Sequence, residues 1–201
     1  MTIRFVVTEH PAALTASLER HYERIRGRLE QVAGAPVAVA RYTEPDLLDG
    51  ASAVVLSGSF APWADHASAA LARFGDAVRA YEGPVLGICA GMQLQAMFAG
   101  GAVAHAPVVR EQGFASVDVA DEDGLFRGLP ARISVYEHHG DEVVDVPSGF
   151  RVLASSASCA VEAIAAPARR WWGTQFHPEE FDDDHPAGEQ ILRNFFELAR
   201  A

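Results

Sequence analysis

The sequence predicts an α/β protein: a mostly parallel, doubly wound sheet with helices on both faces, joined in its second half by short antiparallel strands. Three observations carry this. Up to the glycine pair at 100–101, short apolar runs alternate with segments of helical periodicity in the order β-α-β-β-α-β-α, which feeds a parallel sheet. Beyond it, short strand-like runs follow one another between turn residues, and one amphipathic segment closes the chain. The 201 residues, 49% of them apolar, suffice for one core, and no repeat or linker divides them, so residues 1–201 read as a single domain.

TIRFVVTE (2–9) is rich in β-formers. Residues 13–34 follow with Leu14, Leu18, Tyr22, Ile25, Leu29 and Val32 on one helical face and Arg and Glu on the other, with Gly34 as a stop. PVAVARY (36–42) and ASAVVLSG (51–58) are the next strands, the second running into the loop SFAPW. HASAALARFGDAVRAYEG (66–83) reads as a helix closed by Gly83, PVLGI (84–88) as a strand, and AGMQLQAMFAGG (90–101) as a short helix. In the second half GAVAHAPVV, FASVDVA, ARISVYE, EVVDVP, FRVLASS, AVEAIAA and WWGTQF are strand candidates, and GEQILRNFFELARA (188–201) is the last helix.

Every one of the 16 basic residues is Arg, against 27 acidic residues, for a net charge of -11. Such a surface repels phosphate backbones and argues against nucleic-acid binding as the main task. No stretch is apolar enough to span a bilayer, and MTIRFVVTEH lacks the pattern of a signal peptide. A cytoplasmic protein is expected, without a membrane partner and with Cys89 and Cys159 unpaired.

The segment G-I-C-A-G (87–91) places Cys89 between two glycines, after an apolar strand and before a helix. A nucleophile needs this arrangement. A tight strand-to-helix turn strains its backbone, small neighbours permit the turn, and the side chain is lifted to the carboxyl end of the sheet. The helix N-terminus favours the thiolate. On the pentapeptide alone, a core cysteine beside two packing glycines is an equal alternative. A base is available in QFHPEE (175–180), where His177 and Glu179 are two apart; at strand spacing both point the same way, and the carboxylate orients the imidazole. Pro178 is expected to end the strand and leave both side chains at its tip. Metal binding is the rival reading. The two cysteines lack ligand spacing, and the adjacent His138 and His139 face opposite ways on a strand, so no metal and no cofactor are expected.

These residues resemble the class I glutamine amidotransferases of the Cys-His-Glu type. PVLGICAGMQ is similar to the family's nucleophile segment, GTQFHPE to its His-x-Glu segment, and VVLSGSFAP to its oxyanion loop; VREQGF (109–114), DGLFRGLP (123–130) and YEHHGDEV (136–143) resemble the amidotransferase part of GMP synthases. The resemblance implies a flavodoxin-like fold and a reaction in which Cys89 attacks the glutamine carboxamide to form a thioester. His177 would move the protons and Glu179 would hold its tautomer. The backbone N–H groups of Ser59 and Ala90 would form the oxyanion hole. It further implies that Gly58, Gln93, and the segment His138, His139, Gly140 and Asp141 hold the substrate, although that segment alone reads equally as a polar turn. The family's loop carries glycines and a proline where this chain has Ser59, Phe60 and Ala61, so the peptide orientation must be reached without glycine.

Three functions fit these residues. The first is a glutaminase supplying ammonia to a separate synthase, because no phosphate-binding loop is present to activate an acceptor. The second is a stand-alone hydrolase of γ-glutamyl amides, and the third a non-catalytic binding module on the same fold. Cys159 is expected to be a small buried hydrophobe.

Overall fold

The structure, a computed structural model, describes residues 1–106, 112–121 and 124–201. The end of the strand predicted over GAVAHAPVV, the start of VREQGF and the first residue of DGLFRGLP lie outside the described residues. The elements are β1 (Ile3–Val7), α1 (Ala16–Ala33), β2 (Val37–Arg41), β3 (Ala53–Leu56), α2 (Ser68–Ala80), β4 (Val85–Ile88), α3 (Ala90–Phe98), β5 (Ala102–His105), β6 (Gly113–Val119), β7 (Arg132–Glu137), β8 (Asp141–Asp145), β9 (Arg151–Ser155), β10 (Ala163–Ala166), β11 (Trp171–Thr174) and α4 (Ala187–Arg200).

A nine-stranded sheet runs in the order β2-β1-β3-β4-β11-β10-β9-β6-β7, and β5 pairs with β8 in a separate ribbon. The pairs from β2 to β11 are parallel. Those from β11 to β7 are antiparallel. Strands β3, β4, β10 and β11 are buried at every position, which their unbroken runs of apolar and small residues permit in a sheet covered on both faces. One face packs on α1 and α4 through Ile25, Leu29, Ile191 and Phe195. The other packs on α2 and α3 through Phe74, Val78 and Leu94. Each such fully buried Leu, Ile or Phe contributes about 1.5–3 kcal/mol relative to exposure.

Register matters for the site. β11 enters beside β4 with Trp171 opposite Val85 and Thr174 opposite Ile88. Their carboxyl ends are therefore level, and the residues that follow, Cys89 on one and His177 on the other, emerge at the same rim.

Two helices differ from expectation. α1 starts at Ala16 because a 3-10 turn fills Pro11–Ala13, and the Thr15 hydroxyl then caps the Leu18 N–H at 3.3 Å. It ends at Gly34 in the left-handed conformation, as predicted. α2 spans Ser68–Ala80 and stops before Gly83, because Tyr81 takes an extended conformation. Gly83 serves close approach instead: a Cβ there would lie 2.3 Å from the Tyr81 hydroxyl.

Candidate active site

Cys89 links β4 to α3 with φ 50° and ψ -107°. A side chain at positive φ costs on the order of 1–3 kcal/mol and persists only where the surroundings enforce it. Here they do. The Cys89 N–H donates to the Thr174 carbonyl at 2.7 Å, tying the turn to β11. A Cβ on Gly87 would sit 2.5 Å from the Gly91 carbonyl carbon, and one on Gly91 would sit 2.6 Å from the Leu56 carbonyl oxygen. Both glycines of the motif are required by this contact between α3 and the sheet, as either reading of the pentapeptide expects, and the positive φ of Cys89 makes the turn a strained elbow.

His177 and Glu179 meet by a route other than the one expected. β11 ends at Thr174, and Pro178–Glu180 is a 3-10 turn, so the strand alternation invoked for this pair is corrected. Pro178 fits that turn's first position, where its missing N–H is not needed. The turn still brings His177 Nδ1 to 2.8 Å from Glu179 Oε1, with Glu179 1% exposed. The His177 N–H donates to the Tyr136 carbonyl at 2.8 Å, fixing the turn to β7. From α1, Arg24 donates both terminal nitrogens to the Glu180 carboxylate, and Arg28 donates to the carbonyls of Glu179 and Phe181 at 2.6 and 3.0 Å. Helical periodicity marked these arginines as the outer face of α1. That they clamp a turn so distant in sequence has no local signal.

His177 Nε2 donates to the His138 carbonyl at 3.3 Å, and the Cys89 thiol reaches the same oxygen at 3.8 Å. With Nδ1 against a carboxylate and Nε2 against a carbonyl, both ring nitrogens face acceptors, a pattern that only the doubly protonated ring satisfies. Burial opposes the charged ring, but the Glu179 carboxylate, then the neighbouring Cys89, outweigh it and hold His177 well above the ordinary imidazole value. Gln175 Nε2 approaches the Cys89 sulfur at 3.6 Å from the interior side.

A cleft of about 330 Å³ opens over these groups, and all the residues predicted for the site line it: Gly58, Ser59, Ala90 and Gln93 on one side, and His138 to Asp141 on the other. Gly58 lies so close that an added Cβ would be 3.1 Å from His177 Cε1. Ser59 and Ala61, which replace glycines, are absent from the positive-φ residues of the chain, so their side chains impose no strain. Among the described residues, neither the Ser59 nor the Ala90 N–H has a hydrogen-bond acceptor. Gln93 is already engaged: Oε1 accepts from Trp63 Nε1 at 3.0 Å, and Nε2 donates to the Asp141 carbonyl at 2.8 Å. His139 points inward, 9% exposed, leaving its backbone toward the cleft. The cleft also takes in His21 and Trp63, which sequence reasoning did not mark, together with Tyr22, read there as a core residue of the first helix, and Phe60, noted only as a departure in the loop. His21 and His138 are both held below the ordinary imidazole range, first by burial and then by neighbouring positive charge.

Cys159 is buried as expected, yet in polar company. Its sulfur and the side-chain ligand atoms of His139 and Glu162 lie within 4.8 Å of one another. Chain spacing does not reveal that group, because it forms only when the loop after β7 packs on the segment before β10.

With the geometry in place, comparison identifies the family. The family described as glutamine amidotransferase class-I matches residues 22–199. The chain belongs to the class-I glutamine amidotransferases. Among its relatives, the glutamine-hydrolyzing GMP synthase of Syntrophomonas wolfei is 47% identical over 116 residues, 57% of this chain and 22% of that protein. A subunit of the glutamine-hydrolyzing GMP synthase of Pyrococcus abyssi is 44% identical over 115 residues, 57% of this chain and 60% of that protein. A crystal structure described as that of a GMP synthase subunit from Thermoplasma acidophilum superposes with a TM-score of 0.80 and 31% identity, covering 98% of this chain and 94% of that one. In sequence, the chain spans between 22% and 61% of the length of the first curated relatives it matches. No described helix is long and apolar enough to cross a membrane.

Proposed function

We propose that this chain is a glutaminase that releases ammonia for a separate synthase of the GMP synthase type, using Cys89, His177 and Glu179 as its catalytic triad. The observation that carries the reading is the strained Cys89 elbow meeting a Glu179-oriented imidazole in one cleft. Cys89 Sγ, its proton already passed to His177, attacks the carboxamide carbon of glutamine. The oxyanion is taken up by the Ser59 and Ala90 N–H groups, and each such donor is worth about 2.7–4 kcal/mol of barrier. His177, charged beforehand, protonates the leaving amine, and ammonia departs from a γ-glutamyl thioester. Neutral His177 then takes a proton from water, whose oxygen attacks the thioester and releases glutamate and the thiolate beside the charged ring. Glu179 holds the ring so that Nε2 faces the sulfur.

Gly140, Asp141 and the backbone of His138 and His139 form the wall against which the amino-acid end of glutamine is held, with Gln93 beside it. The relatives named as GMP synthase support a synthase partner over a stand-alone γ-glutamyl hydrolase or a non-catalytic module. The test is ammonia release from glutamine, measured with and without a partner synthase, together with mass spectrometry after exposure to an electrophilic glutamine analogue. The expected result is a single adduct on Cys89 and a loss of about 10⁴-fold or more in rate in Cys89→Ala. Unchanged turnover in that variant overturns the assignment.

A further inference from the structure

Glu9 follows β1 with 1% of its surface exposed, and its carboxylate collects five donors. Oε1 accepts from the His10 N–H at 2.9 Å, the Ser59 hydroxyl at 3.0 Å and the Ala61 N–H at 3.1 Å; Oε2 accepts from the Phe60 N–H at 2.7 Å and the Tyr22 hydroxyl at 3.2 Å. Three of the five come from Ser59, Phe60 and Ala61, the positions at which this chain departs from the glycine-proline-glycine loop of its family.

The other end of the same loop is held as firmly. The Gly58 carbonyl accepts from the Ser57 hydroxyl at 2.6 Å, the Tyr22 hydroxyl at 3.2 Å and the Thr8 hydroxyl at 3.3 Å. In a planar trans peptide the C=O and the following N–H point in opposite directions. Donors that draw the Gly58 oxygen toward Thr8 and Tyr22 therefore turn the Ser59 N–H the other way. The amides of Phe60 and Ala61, immediately beyond Ser59, are meanwhile consumed by Glu9, whereas the Ser59 N–H keeps no acceptor among the described residues.

We infer that Glu9 is a positioning residue for the oxyanion hole: its carboxylate, with Tyr22, sets the Gly58–Ser59 peptide in the donating orientation that glycine and proline supply elsewhere in the family. This rests on the glutaminase reading above and adds the residue that governs one of its donors. A purely structural carboxylate would affect folding and every reaction of the thiol alike. A positioning one affects only reactions that build a negative oxygen.

The test compares Glu9→Gln and Glu9→Asp with the native chain in three assays. In glutamine hydrolysis with the synthase present, Glu9→Gln is expected to lower kcat by about 10²-fold, the loss typical of one oxyanion donor, with KM nearly unchanged; Glu9→Asp recovers part of it. Alkylation of Cys89 by iodoacetamide, a displacement at carbon that creates no oxyanion, proceeds at the native rate. Glutamate γ-semialdehyde, whose hemithioacetal oxygen occupies the same hole without turnover, binds about 10²-fold more weakly to Glu9→Gln. If that variant does not fold, Tyr22→Phe, which deletes a donor shared by Glu9 and Gly58, is read in the same way with a smaller loss. Equal losses in alkylation and hydrolysis, or native kcat and native aldehyde binding in the folded variant, overturn the inference. A native chain that binds the aldehyde but never hydrolyses glutamine retires the function and leaves Glu9 to be judged by the aldehyde alone; one that does neither retires both.

Discussion

The two halves of the large sheet treat their residues differently. In the parallel half, β3, β4 and β11 are buried at every position, and the residues after them carry the reacting groups. In the antiparallel half β10 is equally buried, but β6 and β9 alternate or fray toward solvent, and β7 gives the cleft a backbone carbonyl from Tyr136 and the wall that follows. The parallel half sets the strand ends after which Cys89 and His177 emerge, and the antiparallel half borders the cleft through the segment after β7. β11 belongs to both, parallel to β4 on one side and antiparallel to β10 on the other.

Substitutions across this divide should differ steeply in effect. The largest expected change, after loss of Cys89 itself, is Glu179→Gln, about 10⁴-fold in kcat if the carboxylate orients and charges the imidazole as in other triads. The same variant tests charge. The raised pKa of His177 favours the protonated ring, so its stabilising contribution is complete below the ordinary value near 6.5 and is lost as pH rises through the elevated folded value. Glu179→Gln removes a raising influence. The alkaline limb of the pH–rate profile should therefore move toward lower pH, and a limb that stays in place refutes that role.

Gly91→Ala comes next. Its Cβ would press on the Leu56 backbone, and overpacking of this kind costs about 1–3 kcal/mol, occasionally more; thermal unfolding reads it directly. Arg28→Ala frees two carbonyls of the His177 turn and is expected to lower kcat about tenfold, equivalent to about 1.4 kcal/mol, with glutamine KM unchanged. The smallest effect belongs to the antiparallel half: Val152→Thr on β9, 37% exposed, should shift stability by no more than about 0.5 kcal/mol. A loss there as large as that of Gly91→Ala would erase the distinction between the halves.

Most of the architecture could be read before any coordinates because local and global signals agree. Apolar runs that became β3, β4 and β11 have the length and uniformity of central strands, and Gly34 stops α1 by the conformation only glycine adopts easily. Cys89 was legible because the two flanking glycines mark a close approach that few other contexts demand. What stayed hidden depends on tertiary contact. The geometry joining His177 to Glu179 was misread because β11 ends at Thr174, ahead of His177, and Pro178 then opens a 3-10 turn. The engagement of Gln93 by Trp63, the clamp of Arg24 and Arg28, and the burial of Glu9 under the oxyanion loop link residues whose neighbours in sequence carry no trace of them.

The place of β11 has a temporal consequence. It follows every other strand of the described residues yet lies at the centre of the sheet, so Cys89 and His177 remain apart until residues 171–177 have been made and that strand slots in beside β4. A nascent or partly unravelled chain accordingly holds the sulfur at 89 away from the imidazole at 177, and labelling by the electrophilic glutamine analogue is expected only once that strand is seated.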